Sequence, residues 1–184
     1  MCIDFNKMRK LSVIELNRLN VEEFRAAEKL PLVVVLDNVR SLHNVGSIFR
    51  TSDAFIVEKI YLCGITSTPP NAEIHKTALG AEDSVLWKYF ENTVDAVEYL
   101  QKNGYEVYAI EQVNNSIFLE NIELEKNKKY AVIMGNEVKG VQQSVVDNCD
   151  MCIEIPQYGT KHSLNVSVTT GIVLWEFTKR MMNF

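Results

Sequence analysis

The chain is 184 residues long, 47% apolar and 23% charged, with a formal net charge of −5 at pH 7. That length suits one domain with a short appendage, burying roughly 70% of its unfolded surface, and the composition excludes a disordered or low-complexity protein. The net negative charge excludes a protein that coats nucleic acid indiscriminately, because phosphate neutralisation drives such binding; a locally basic site stays open.

The start, Met1 to Lys10, mixes charges with apolar residues and shows neither an apolar h-region nor a small-residue cleavage site, so no secretory signal is expected. Apolar runs such as Leu32 to Leu36 are far too short to cross a membrane. A cytoplasmic location is the expectation. Cys2, Cys63, Cys149 and Cys152 are too few for a disulfide framework in a chain of this length. Cys149 and Cys152 form a C-x-x-C, but it leads into a strand, whereas a redox pair normally opens a helix whose dipole stabilises the thiolate. Zinc would need two further ligands at finger-like spacing. Reduced thiols and no metal are expected.

Asn20 and Glu23 have capping-box spacing ahead of Phe24 to Leu30, and a further helical turn is expected around Ile14 to Leu19. Residues 1–30 therefore read as a helical arm before a single domain, 31–184. From Pro31 onward, β-branched runs alternate with helical stretches, the pattern of an α/β domain with a mainly parallel sheet flanked by helices. Strands are expected at Leu32 to Leu36, Lys59 to Cys63, Tyr105 to Ile110, Tyr130 to Met134 and Cys152 to Ile155, with a weaker one near Ser84 to Lys88. Helices are expected at about Val45 to Phe55, Ala72 to Leu79, Val94 to Lys102, Gln142 to Asn148 and Val166 to Met181, with Gly80 and Gly104 at helix C-terminal positions.

Strand C-termini are where an open α/β sheet binds ligands. After the first strand the turn Asp37 to Asn44 has no glycine, which removes most of the weight of a dinucleotide-binding or Rossmann-type methyltransferase reading. Three other polar segments stand out. In Asn44-Val45-Gly46-Ser47-Ile48-Phe49-Arg50-Thr51, Asn44 can cap a helix and Gly46 permits close backbone approach. Arg50 lies nearly two turns on, and by spacing alone a solvated helix charge is the favoured reading. Met134-Gly135-Asn136-Glu137-Val138-Lys139-Gly140 follows an apolar strand; its glycines let backbone groups face a ligand, and Glu137 can accept strong hydrogen bonds. The same segment also reads as a plain β-to-α turn with an acidic residue at the helix start. The segment from Ile155 to Ser167 is a long polar loop before the last helix, of a length that favours binding. Ser163 or Asn165 could equally be no more than a cap.

In this order and spacing the three segments resemble the motifs of the SpoU, or TrmH, family of RNA ribose methyltransferases within the SPOUT superfamily. The resemblance covers about Pro31 to Phe177, and its most specific part is I-P-Q-Y-G-T-K-H-S-L-N-V-S. It implies an α/β fold with a C-terminal deep trefoil knot that binds S-adenosylmethionine, a homodimer, and methyl transfer to a ribose 2′-hydroxyl of tRNA or rRNA. The homodimer would pack through the last helix, whose apolar face is Val168, Ile172, Trp175 and Phe177; such a face could equally be ordinary core. The resemblance further assigns Asn44, Arg50, Glu137, Ser163 and Asn165 to the catalytic set. The cofactor falls to Ile110, Met134, Gly135, Ile155, Gln157, Ser163 and Leu164, with Gln157 standing where the family more often has methionine.

Removing a proton from a guanidinium at pH 7 costs about 7 kcal/mol. A charged Arg50 that stabilises a developing alkoxide or a nearby phosphate is therefore the cheaper role. Arg40, His43, Lys139, Lys161 and His162 are expected around the same mouth as an RNA-binding patch. His162 is also the one general-base candidate of near-neutral type, though a rim contact to RNA is the preferred reading. Two rivals remain: methylation of a base nitrogen on a related fold, and an RNA-binding protein without transfer activity.

Overall fold

A computed structural model describes residues 8–12 and 14–182; Cys2 and most of the segment read for a secretory signal lie outside them. Seven strands, β1 (Leu30–Asp37), β2 (Val57–Cys63), β3 (Trp87–Phe90), β4 (Tyr105–Ile110), β5 (Ile117–Phe118), β6 (Lys129–Met134) and β7 (Met151–Glu154), form one sheet in the order β3-β2-β1-β6-β4-β7-β5. Every pairing is parallel. Parallel pairing needs crossovers that cover both faces, which is why the central strands are continuous apolar runs and not alternating ones. Leu32 to Leu36 and Ala131 to Ile133 are fully buried.

The helices are α1 (Val21–Ala26), α2 (Leu42–Ala54), α3 (Ala72–Ala78), α4 (Ala81–Ser84), α5 (Thr93–Lys102), α6 (Gln143–Val146) and α7 (Val166–Met182). One core lies between the sheet and α2, α3 and α7, and gathers Leu36, Phe49, Met134, Ile153 and Phe177. The other lies under α5 and gathers Val33, Val35, Leu100 and Ile133. Gly46 makes the α2–α3 contact possible, since a Cβ there would stand 2.2 Å from the Ile74 carbonyl oxygen.

The capping box before Phe24 forms in both directions, Glu23 N–H donating to Asn20 Oδ1 and Asn20 N–H to Glu23 Oε2, each at 2.9 Å. Phe24 is buried in the main core, and Arg25 donates to the Asp83 carbonyl oxygen. Residues 14–17 form the expected turn, with Asn17 at φ 45°.

Several expectations are corrected. The weak strand near Ser84 to Lys88 starts later, at Trp87, because residues 81–84 form α4. Helix α2 starts at Leu42, and its cap is Ser41, whose side chain accepts from the Asn44 N–H; Asn44 is not the cap. Of the proposed apolar face on α7, Phe177 points inward at 0% exposure against Tyr108 and Tyr130, while Val168, Ile172 and Trp175 are 53%, 38% and 51% exposed. Cys63, Cys149 and Cys152 are free thiols, and burial pushes Cys149 up to about 12, which keeps it protonated. Among the described residues no helix is long and apolar enough to cross a membrane.

Candidate active site

The loops leaving β4, β6 and β7 converge at one end of the sheet with the start of α7, enclosing a cavity of about 290 Å³. All seven residues expected to hold a cofactor line it: Ile110, Met134, Gly135, Ile155, Gln157, Ser163 and Leu164. Ile110, Ile153, Ile155, Leu164 and Val166 give it apolar walls, and the 135–140 loop gives it polar groups. A flat heteroaromatic ring with a polar edge suits such a lining.

The loop after β6 owes its shape to a ladder of side-chain to backbone bonds. Asn136 and Gly140 exchange two backbone hydrogen bonds, at 3.0 and 2.9 Å. Asn136 Oδ1 accepts from the N–H groups of Val138 and Lys139, and its Nδ2 donates to the Asn38 carbonyl oxygen at 2.7 Å. Gly135 sits so close to the returning chain that a Cβ there would lie 2.2 Å from the Gly140 carbonyl carbon and 2.3 Å from the Val141 nitrogen. Glu111, at the end of β4, accepts from the Val141 N–H at 2.8 Å.

Glu137 joins this loop to the start of α2. Its carboxylate accepts from the backbone N–H groups of Arg40 and Ser41 at 3.0 and 2.9 Å and from Asn44 Nδ2 at 2.9 Å. Burial alone would raise its pKa, but these donors outweigh that and hold the carboxyl below the usual range. Asn165 Nδ2 in turn donates to Asn44 Oδ1 at 3.2 Å, while Asn165 Oδ1 accepts from the N–H and hydroxyl of Ser167 at the start of α7. Three segments separated by about ninety and a further thirty residues are thus joined in one chain of hydrogen bonds, Glu137–Asn44–Asn165. Glu137 and Ser163 line the cavity, whereas Asn44 and Asn165 are absent from its lining and act behind Glu137.

Arg50 stands elsewhere. It is exposed on α2, outside the cavity lining, and its side chain has no ion pair or hydrogen bond among the described residues. Six residues along the helix carry it roughly 9 Å beyond Asn44. Helices α2 and α7 run side by side in the same direction, Asn44 beside Asn165, Thr51 beside Gly171 and Phe55 beside Trp175. Arg50 therefore emerges next to the exposed face of α7. Of the expected RNA patch, Lys139 and His162 line the cavity and Lys161 lines an adjoining groove. Arg40 is exposed beside Glu137, and His43 turns away to pair with Glu73 on α3 at 3.2 Å.

Asp37, Glu111 and Asn136 were missing from the sequence-derived site. Asp37 is fully buried at the end of β1 and accepts four hydrogen bonds, from Thr93 Oγ1, Asn38 Nδ2 and both the backbone and side-chain nitrogens of Gln142. Each of the three stands at or just past the C-terminal end of an apolar strand, the one signal that could have found them.

The SpoU rRNA methylase family model matches residues 31–175. The chain belongs to this family. Among curated relatives it is 31% identical to a 23S rRNA (guanosine-2′-O-)-methyltransferase of Vibrio parahaemolyticus, over 91% of this chain and 67% of the relative. It is likewise 31% identical to an uncharacterized tRNA/rRNA methyltransferase of Borreliella burgdorferi, over 98% of this chain and 77% of the relative. A further relative, a TrmH-family protein of Staphylococcus saprophyticus, is spanned over 64% of its length. Among solved structures, a TrmH/SpoU tRNA modifying enzyme of A. aeolicus superposes with a TM-score of 0.78 at 28% identity, over 89% of this chain and 83% of the other. An AdoMet-bound rRNA methyltransferase of Sinorhizobium meliloti superposes with a TM-score of 0.76 at 30% identity, over 85% of this chain and 59% of the other. The parallel sheet flanked by helices is the fold of these SpoU family structures.

Proposed function

We propose that this protein is a cytoplasmic RNA methyltransferase that takes S-adenosylmethionine as cofactor and acts on a ribose 2′-hydroxyl of tRNA or rRNA as a homodimer. The observation that carries the reading is the cavity at the ends of β4, β6 and β7, whose wall is tied by the Glu137–Asn44–Asn165 bonds to α2 and α7. When bound, S-adenosylmethionine supplies a sulfonium-activated methyl group. The chain's own part is to hold and orient. Ile110, Ile155 and Leu164 offer apolar surface to the cofactor's adenosine, Gly135 and its neighbours offer backbone groups, and Ser163 offers a hydroxyl at the rim. Glu137 keeps the loops in register, and Arg50, charged, steadies negative charge on the reacting ribose or its phosphate. Threading of the C-terminal segment as a trefoil knot, and residues 1–30 as an arm separate from the domain at 31–184, belong to the same reading.

The homodimer accounts for the position of Arg50. The outer face of the α2–α7 pair carries Ser47, Arg50, Thr51 and Ala54 beside the exposed side chains of Val168, Ile172 and Trp175, and an aromatic ring and an arginine among apolar residues are what interfaces favour. A second copy on that face would cover the apolar residues and enclose Arg50 at a junction between copies.

Two measurements test the reading. Calorimetry should show one S-adenosylmethionine site per chain, and 2′-O-methyl mapping of total RNA from cells with and without the gene should show a site that disappears. A lost base-nitrogen methyl group would replace the ribose assignment, and failure to bind the cofactor would leave an RNA-binding protein. Arg50→Lys should lower turnover about tenfold or more, a loss of at least ~1.4 kcal/mol in the transition state, with cofactor affinity unchanged. Near-normal turnover would remove the guanidinium from the chemistry.

A further inference from the structure

Past Gln157 the loop before α7 leaves the cofactor cavity and becomes one wall of a second groove, of about 430 Å³. The two hollows share Gln112, Glu154, Ile155, Gln157 and His162, so a group held in one lies next to a group held in the other, while Phe118, Tyr158 and Lys161 belong to the second alone. Two aromatic rings face this groove, Phe118 at 43% exposure and Tyr158 at 96%. Tyr158 has no hydrogen-bond or ring partner among the described residues. Open aromatic faces flanked by cations are platforms on which a flat base can stack.

The polar groups narrow the ligand. Gln112 and Gln157 each carry an amide that can both donate and accept. Glu154, next to Phe118 in the β5–β7 register, puts an acceptor-only carboxylate into the groove. A phosphate would be repelled there, whereas the amino group on a base edge would donate to it. Lys161 and His162, exposed at the side of the groove, can take the phosphates the groove refuses. Aromatic faces, amide edges and flanking cations are how proteins hold unpaired RNA bases.

We infer that this groove binds the unpaired nucleobase adjoining the ribose to be methylated, stacked on Tyr158 and Phe118 and hydrogen-bonded at its edge by Gln112, Gln157 or Glu154. The inference rests on the methyltransferase reading and adds a base-reading subsite to it. The dimension it supplies is sequence preference beside the target, in a chain whose cofactor cavity carries none.

The test is titration of the full-length protein with a short single-stranded RNA of mixed sequence carrying 2-aminopurine, beside calorimetry with S-adenosylmethionine. Tyr158→Phe should keep RNA affinity and fluorescence quenching. Tyr158→Ala should lose the quenching and weaken RNA binding about 5- to 100-fold. It should leave cofactor affinity unchanged, since Tyr158 does not line the cofactor cavity. Equal RNA affinity and quenching in Tyr158→Ala and wild type would overturn the subsite. So would a parallel loss of cofactor affinity, which would make Tyr158 part of the cofactor wall. The two readings fail separately: a wild-type protein that binds no S-adenosylmethionine ends the methyltransferase assignment, while dependence of RNA binding on Tyr158 is still read from the titration.

Discussion

Two loops border the same cavity and are built in opposite ways. Residues 135–141, after β6, are held by Asn136 on the inside and by Glu111, Asn38 and the start of α2 on the outside. Residues 156–164, after β7, make no hydrogen bond to other described residues, and residues 158–164 are exposed. Backbone groups fixed by neighbours are preorganised, and a site made of them binds without further ordering cost. A loop with few contacts opens at low free energy and adapts. On the proposed reading the contrast makes the first loop the fixed wall of the cofactor site, and the second, which lends Gln157, Ser163 and Leu164 to that site, the adaptable side that also meets RNA.

The sharpest way to break the fixed side is at its root. Asp37→Ala removes an acceptor from four hydrogen bonds in a fully buried place. Donors stranded in the interior cost about 1–3 kcal/mol each, so a loss of about 4 kcal/mol or more is expected, read as a lower urea midpoint. A smaller loss should follow from Gly135→Ala. Its new methyl meets backbone at 2.2 and 2.3 Å, which cannot swing aside as a side chain can. About 2–3 kcal/mol of strain and at least a tenfold loss of S-adenosylmethionine affinity are expected, the latter by calorimetry.

Glu137→Gln tests the charge on the tie between the loops. The amide keeps the shape but brings an NH2 group to face one of the N–H donors of Arg40 and Ser41, at a cost of about 1–2 kcal/mol. The pH dependence gives an independent reading. The folded carboxyl titrates below its ordinary value of 4.5, so its stabilisation is complete above that value and is lost as pH falls through the lower folded one. Stability curves against pH should therefore have a shallower acid limb in Glu137→Gln than in wild type. An unchanged acid limb would mean the carboxylate contributes nothing through its charge.

The same contrast explains how much the sequence reveals. The strands at Leu32 to Leu36 and Tyr130 to Met134 are legible because a doubly covered parallel strand must be an unbroken apolar run, and the observed β1 and β6 extend those runs by only one to three residues. The two-residue β5 has no such run and was not anticipated. The residues that line the cavity are legible through their motifs. Their supports are not: Asp37, Glu111 and Asn136 each follow an apolar strand, but which distant donor each one meets depends on the strand order β1-β6-β4-β7, and periodicity carries no strand order. Arg50 shows the opposite limit. Its motif puts it in the catalytic set, whereas helix geometry leaves it exposed beyond the cavity of its own chain.

The smallest expected effect belongs to the open side, and it is the most direct check on the comparison. Gly159, like Gly135, is a glycine in one of the two loops, but it lines the second groove and not the cavity. A Cβ at Gly159 would meet no atom within 4 Å, and its φ is not in the left-handed range. Gly159→Ala should then change stability by no more than about 0.5 kcal/mol, with a slight gain possible from the narrower unfolded ensemble. Cofactor affinity by calorimetry should be that of wild type. If Gly159→Ala instead destabilises as much as Gly135→Ala, the second loop is packed as tightly as the first, and the division between a fixed cofactor side and an adaptable RNA side does not hold.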